Sequence, residues 1–256
     1  MNQMSKVEKK LAHSLTADSI ELIPYLPYLL QDLWELGSSP TDIIHLIKKH
    51  IHIDKDTRVL DLACGKGAVS IHIAKAFGCQ VKGIDIMPNF IKTAQQKAID
   101  YHVESLCYFV IEDINQSIKH EETFDIVVFG AAGSVLGNQN DTLKKLSKKV
   151  RSNGYLILDD AYANTVDDST YITKKTWLKY MHQNGFTLIE DLPCNEEALN
   201  DVLSDQMTAL SQRVHELKEK YPQKGYLFEQ YLESQKQECD DLTNHVTGVT
   251  MLLQKK

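Results

Sequence analysis

Between Arg58 and Glu190, short runs rich in β-branched and aromatic residues alternate with longer stretches of helical periodicity. This alternation limits the fold more than any other feature of the chain. Strands are expected at Arg58–Leu62, Gln80–Ile84, Cys107–Ile111, Phe124–Phe129, Gly154–Leu158 and Phe186–Glu190. Helices are expected at Ala68–Phe77, with Val69, Ile73 and Ala76 on one face, and at Pro88–Tyr101, with Phe90, Ile91, Ala94 and Ala98 inward. Two more are expected at Asn140–Val150 and Thr170–Gln183, stopped by Ser152-Asn-Gly154 and Asn184-Gly185. Repeated strand–helix units build a parallel sheet with helices on both faces. His245–Leu253 alternates as a seventh, closing strand, and a hairpin-type return would make it antiparallel to its neighbour.

Two regions fall outside the alternation. Residues 1–56 read as helical: Tyr25–Leu36 is rich in Leu and aromatics and stops at Gly37, and Ser39-Pro40 caps a helix to about His50. From Asn195 to Asp241, Leu199, Leu203, Leu210, Val214, Leu217 and Tyr221 form a helical stripe. Pro222 and Gly225 break it, and Leu227, Phe228, Tyr231 and Leu232 begin a second helix. The expected organisation is an N-terminal helical lid (1–56), a sheet domain (57–194 with 242–256) and a helical insertion (195–241). The insertion's apolar stripe must bury against something. It is a second lid, the favoured reading, or the surface of a homodimer.

Charge and cysteine usage exclude several classes. The net charge is −7, and Glu190–Thr243 alone holds 13 acids against five bases. No basic stripe exists, so nucleic acid is not an expected partner. The five cysteines are scattered and never spaced C-x-x-C, which fits a reducing cytosol rather than a disulfide framework or structural zinc. His45, His50 and His52 lack the i, i+4 spacing of a helical metal pair, and no metal is expected. No apolar leader follows the start and no run approaches the ~18 apolar residues of a membrane span, so a cytoplasmic protein is expected.

The main chemical signal is Val59-Leu-Asp-Leu-Ala-Cys-Gly-Lys-Gly67, placed between the first strand and the first helix. Gly65 and Gly67 let backbone turn sharply and approach a ligand. Asp61, Asp85 and Asp113 stand at three consecutive strand ends, where such sheets bind ligands. An acid after the second strand can accept both hydroxyls of a ribose, and one after the third can accept an adenine amine. A dinucleotide loop needs a third glycine, but Ser70 follows Gly67, and Asp61 would face the pyrophosphate. The Walker A frame does not fit either. Asp61 suits a ligand carrying positive charge there, such as S-adenosylmethionine with its α-ammonium and sulfonium.

Val59–Ala68 resembles the first motif of the class I S-adenosylmethionine-dependent methyltransferases, D-x-G-x-G-x-G, with Ala63 in place of the first glycine. Gly83-Ile-Asp85 is similar to the second motif, Glu112-Asp113-Ile114 to the adenine-binding turn, and Phe124-Asp-Ile-Val-Val to the fourth-strand motif. Val150–Leu156 resembles the L-x-P-G-G segment, with Ser152-Asn153 in the Pro-Gly places. The resemblance covers about residues 57–191 plus the terminal strand. It implies an α/β, Rossmann-like seven-stranded, mostly parallel sheet. It also implies S-adenosylmethionine as cofactor and the family's small-molecule branch, in which Leu33–Pro40 looks like a lid crossing the cofactor. The cofactor-binding residues it implies are Asp61, Ala63, Gly65 and Gly67 in the loop. Asp85, Ile86, Asp113, Ile114 and Gly130 complete the set at the strand ends.

The implied reaction is an in-line displacement of the methyl by a small-molecule nucleophile. It needs mainly positioning, worth up to ~7–11 kcal/mol. Asp159, Asp160 and Tyr162, after the fifth strand, are the candidate catalytic residues, with an acid pair capping the next segment as the alternative. Tyr25, Tyr28 and Trp34, with Gly37, are candidates for a lid or substrate wall, a ring face being able to hold a cation. Their alternative role is core packing. Two rival functions stand beside this one: a nucleoside-binding regulatory protein and an NAD(P)-dependent oxidoreductase.

Overall fold

A computed structural model describes residues 3–167 and 171–256. The chain forms two compact units, Trp34–Pro193 with Gly248–Lys256, and the residues up to Leu33 with Cys194–Thr247. In chain order the elements are α1 (Gln3–Ser14), α2 (Leu26–Leu29), α3 (Pro40–His50), β1 (Arg58–Leu62), α4 (Ala68–Phe77), β2 (Gln80–Asp85), α5 (Pro88–Asp100) and β3 (Cys107–Ile111). There follow α6 (Ile114–His120), β4 (Phe124–Gly130), α7 (Gln139–Leu146), β5 (Val150–Ala163), α8 (Lys174–Gln183), β6 (Phe186–Pro193), α9 (Glu196–Lys220), α10 (Gly225–Asn244) and β7 (Val246–Lys255).

The strands form one seven-stranded sheet in the order β3-β2-β1-β4-β5-β7-β6. β1 pairs in parallel with β2 and β4, β2 with β3, and β4 with β5. β6 and β7 are antiparallel, as the closing strand required. Strand periodicity sorts the core into two layers. Val59, Ile126, Val128, Ile157 and Leu252 face one layer with Ile43, Ile47, Ile71 and Ile91 from the helices. Leu60, Leu62, Val127, Leu156 and Met251 face the other, with Leu143, Trp177 and Met181.

Local chemistry starts and stops the helices that frame the crevice. Ser39 caps α3, its hydroxyl accepting the Asp42 N–H, and Pro40 sits in the first turn. Gly67 and Gly78, both left-handed, bound α4. In the other unit Pro222 ends the α9 register and α10 returns, burying Leu210, Val214, Leu217, Leu227, Phe228 and Tyr231.

Several expectations are corrected. The boundary expected at residue 56 falls after Leu33 instead, because α3 buries Ile43, Leu46 and Ile47 in the sheet core. The segment before it shares a unit with the 194–247 region. The helix expected over Tyr25–Leu36 shrinks to Leu26–Leu29, and the chain beyond it runs irregularly to Gly37, where φ is +97°. α7 stops at Leu146 because Val150 is already paired with Phe124 in the sheet. β5 is longer than expected and carries a register shift opposite Phe124–Ile126, where Asn153 takes a left-handed φ. α6 was not anticipated. α8 begins at Lys174 under a Thr173 cap, and Thr170 lies outside the described residues.

Placing α3 in the sheet core generates a stability prediction. Ile47→Ala, followed by urea denaturation, should cost about 2–5 kcal/mol, as for a buried aliphatic truncation, and not the ≲0.5 kcal/mol of a surface helix.

Candidate active site

The winding of the sheet reverses between β1 and β4, and the loops there open a crevice at the strands' carboxyl ends. β1 leads into a tight turn through Ala63, Gly65 and Gly67, with φ of 59°, 53° and 75°. The Cys64 N–H donates to the Ile84 carbonyl, tying the turn to β2. At Gly67 a Cβ would lie 2.8 Å from Ala94 and 2.9 Å from the Phe109 ring, so only glycine fits. Ala63, in the place where the resembled motif has glycine, is held left-handed at a cost of about 1–2 kcal/mol. Ala131, just after β4, is held the same way. Strained positions of this kind gather at functional sites.

Of the three strand-end acids, Asp61 and Asp85 reach the turn and the start of α4. Asp61, on β1, is 3% exposed and accepts the Ser70 hydroxyl at 2.5 Å through Oδ2. Burial pushes its carboxyl up to about 6 against the pull of the Ser70 bond, and the charge of Asp85 adds to the rise. Asp85 is buried at the end of β2. Its Oδ2 accepts the Gly65 N–H at 2.9 Å and its Oδ1 the Met87 N–H at 2.8 Å. Burial raises its pKa, and these amides partly offset the rise. Asp113 has a local task, because its Oδ1 accepts the Asn115 N–H and caps α6. Ile114 is a core residue and Ile86 is half-buried between Asp85 and Met87.

Trp34–Ser38 lies across this turn as a strap. Trp34 Nε1–H donates to the Lys66 carbonyl at 3.1 Å, and its ring packs on His72 and Tyr101 with centroids 5.0 Å away. Leu36 reaches over Gly65. A Cβ on Gly130 would meet the Ser38 hydroxyl at 2.1 Å, and one on Gly37 would meet Ala131 at 2.5 Å, so both glycines are needed for the close approach. Beneath the strap is a cavity of about 40 Å³ whose walls include Trp34, Leu36, Ser38, Asp61, Gly65 and Gly130. Small-molecule sites usually enclose ~300–1,000 Å³. A nucleoside-sized ligand therefore needs the strap to lift from Gly65 and Gly130.

The expected catalytic residues separate. β5 runs through them instead of ending before them, so they alternate in facing. Asp159 pairs in register with Gly130, and its Oδ2 accepts the Ser39 N–H at 3.2 Å. Burial pushes its carboxyl up to about 7, against that bond, with Asp160 and Asp42 adding to the rise. Burial pushes Asp160 up to about 6, and its Oδ1 accepts the Ala161 N–H. Tyr162 is corrected to a core residue: its ring lies in the Trp177 layer and its hydroxyl donates to Asp191 at 3.2 Å.

The aromatic candidates separate too. Trp34 and Gly37 belong to the strap. Tyr25 and Tyr28 belong to the helical unit, where Tyr25 packs edge-on against Tyr221 and Phe228 and the Tyr28 hydroxyl donates to Glu216. Leu36 and Ser38 fall within the Leu33–Pro40 segment expected to cross the cofactor, and both wall the cavity. Sequence reasoning takes Ser70 only as a departure from a glycine motif, although its polarity is a signal, because a buried hydroxyl needs a partner.

The methyltransferase-domain family model matches residues 53–224. The ribosomal protein L11 methyltransferase of Janthinobacterium sp. is 30% identical over 168 residues, which is 63% of this chain and 52% of that protein. The putative methyltransferase YqeM of Bacillus subtilis is 30% identical over 172 residues, 64% of this chain and 62% of its own length. The chain thus spans between half and two thirds of these curated relatives. A crystal structure of an S-adenosylmethionine-dependent methyltransferase from Geobacter sulfurreducens, in complex with S-adenosyl-L-homocysteine, shares the fold. Its TM-score is 0.74 at 16% identity, covering 90% of this chain and 97% of that one.

The buried acids set a pH dependence. An unfolded Asp titrates near ~3.9, so a folded value near neutrality means that the native state holds the proton longer. That group's ionisation opposes folding as pH rises through the window between the two values. For Asp159 the window ends at about 7. Asp159→Asn cannot ionise, so its stability relative to the parent should rise between about pH 4 and pH 7 in thermal unfolding and level off above that. A difference that stays flat would contradict the burial of this carboxyl.

Proposed function

Because the chain belongs to the methyltransferase-domain family, we propose that it transfers a methyl group from S-adenosylmethionine to a small-molecule acceptor. The carrying observation is Asp61, a desolvated carboxylate in the wall of the cavity beside Gly65 and Gly130. In a low-dielectric site such a group repels a pyrophosphate and attracts an ammonium or sulfonium. This disfavours a dinucleotide and supports the adenosyl sulfonium donor. When bound, that donor supplies a methyl already activated for in-line displacement.

The residues present fit it. Asp61, in the cavity wall, would hold the α-ammonium. Asp85, its plane fixed by backbone amides, would accept from the ribose hydroxyls with its remaining acceptor capacity. Asp113 retains Oδ2 for an exocyclic amine, and Ile86 and Ile114 offer backbone around the base. The strap excludes water once closed. Asp159, beside Gly130 and raised toward neutrality by burial, is the acid best placed to take a proton from an acceptor. The relative named for ribosomal protein L11 makes a protein the competing acceptor.

Two measurements test this. Calorimetry should show binding of S-adenosylhomocysteine and none of NAD(P)H, with Asp85→Ala weakening the first about 10–100-fold. Radiolabelled donor incubated with cell extract should place label in the low-mass fraction. Label confined to protein would overturn the small-molecule reading, and unchanged affinity of Asp85→Ala the ribose assignment.

A further inference from the structure

Ser70 stands where a dinucleotide loop would place its third glycine, in the first turn of α4. It is wholly buried, in a layer otherwise built from Val59, Val69, Ile71 and Ile73. A lone hydroxyl there would be costly to bury, and alanine would fit with less penalty. The hydroxyl is paired, however, with Oδ2 of Asp61 at 2.5 Å, within the range of a charge-assisted O–H···O⁻ bond. Both hydrogen bonds that favour the ionised Asp61 come from Ser70, one from its side chain and one from its backbone.

We infer that Ser70 is the positioning residue for cofactor recognition: its hydroxyl fixes the Asp61 carboxylate and holds it ionised, leaving Oδ1 to accept the ligand's α-ammonium. This rests on the function proposed above and assigns the residue that makes its anionic contact work at neutral pH. The surroundings give Ser70 much to oppose. The Asp85 carboxylate from β2, the Cys64 thiol of the turn and the Cys107 thiol from β3 lie within electrostatic reach of Asp61, and Lys66 and Glu35 line the same cavity. Burial holds the Cys64 thiol protonated, so it lends Asp61 no charge. Asp85 is an acid and disfavours a second negative charge beside it. Without the Ser70 hydroxyl, Asp61 keeps its proton to higher pH, and a neutral carboxyl holds an ammonium poorly. Ser70 touches no reacting atom and acts through Asp61 alone.

The test is S-adenosylhomocysteine affinity measured by calorimetry from about pH 5 to pH 7 on the full chain, where the ligand's ammonium keeps its proton. In the parent protein, affinity should fall as pH drops through the Asp61 transition. In Ser70→Ala the midpoint of that fall should move up by about one unit, with a loss of roughly tenfold near pH 5 that shrinks to about twofold near pH 7. Ser70→Thr, which restores the hydroxyl, should bring the midpoint back. If the alanine variant does not fold, Ser70→Cys removes the strong donor at nearly constant volume and gives the same reading. A loss equal at every pH, or no loss, overturns the positioning role, because a merely structural residue would leave the midpoint unmoved. Absence of binding by the parent protein would instead overturn the proposed function itself.

Discussion

Taking carboxylates out of water is the constraint around which this sheet unit is arranged. An ionised acid loses its hydration on burial and must be repaid by hydrogen bonds or by an opposite charge. Asp61 and Asp85 receive only part of this from the protein, through Ser70 and through the Gly65 and Met87 amides. Their pKa values are raised all the same. What remains is an unmet demand for positive charge and hydroxyl donors at one end of the sheet. A cation-bearing nucleoside meets that demand, and a pyrophosphate does not.

The same crevice stores backbone strain. Ala63 and Ala131 are left-handed without being glycine, and Gly37 and Gly130 allow two chain segments to approach more closely than side chains permit. The strap is held by a few specific contacts: the Trp34 indole on the Lys66 carbonyl and the Asp159 carboxylate on the Ser39 amide. A parallel sheet thus carries a covering segment fixed by hydrogen bonds and by the Trp34 ring packed on His72 and Tyr101.

The parts of this arrangement that were legible in the sequence are those encoded locally. Strand alternation, the glycine turn and the acids at the strand ends each show in a few consecutive residues. The parts that were not legible depend on partners distant in the chain. Ile43, Leu46 and Ile47 give α3 an apolar face, but periodicity does not say which core it joins. Ser38 meets Gly130 only because β4 ends beside the strap. Tyr162 was grouped with Asp159 by proximity in sequence. Once β5 is seen to extend through both, the parity of the strand turns one toward the strap and the other into the Trp177 layer. Asp113 was read as a ligand group from its place after β3, where it also caps a helix too short for periodicity to reveal.

Near pH 6 the buried Asp61 is partly protonated, and a ligand ammonium reaching it should drive it to full ionisation. Counting protons during S-adenosylhomocysteine binding tests this, by calorimetry near pH 6 in buffers of different ionisation enthalpy. Net release of a substantial fraction of a proton per ligand bound is expected. Binding with no proton release, or with uptake, would contradict it.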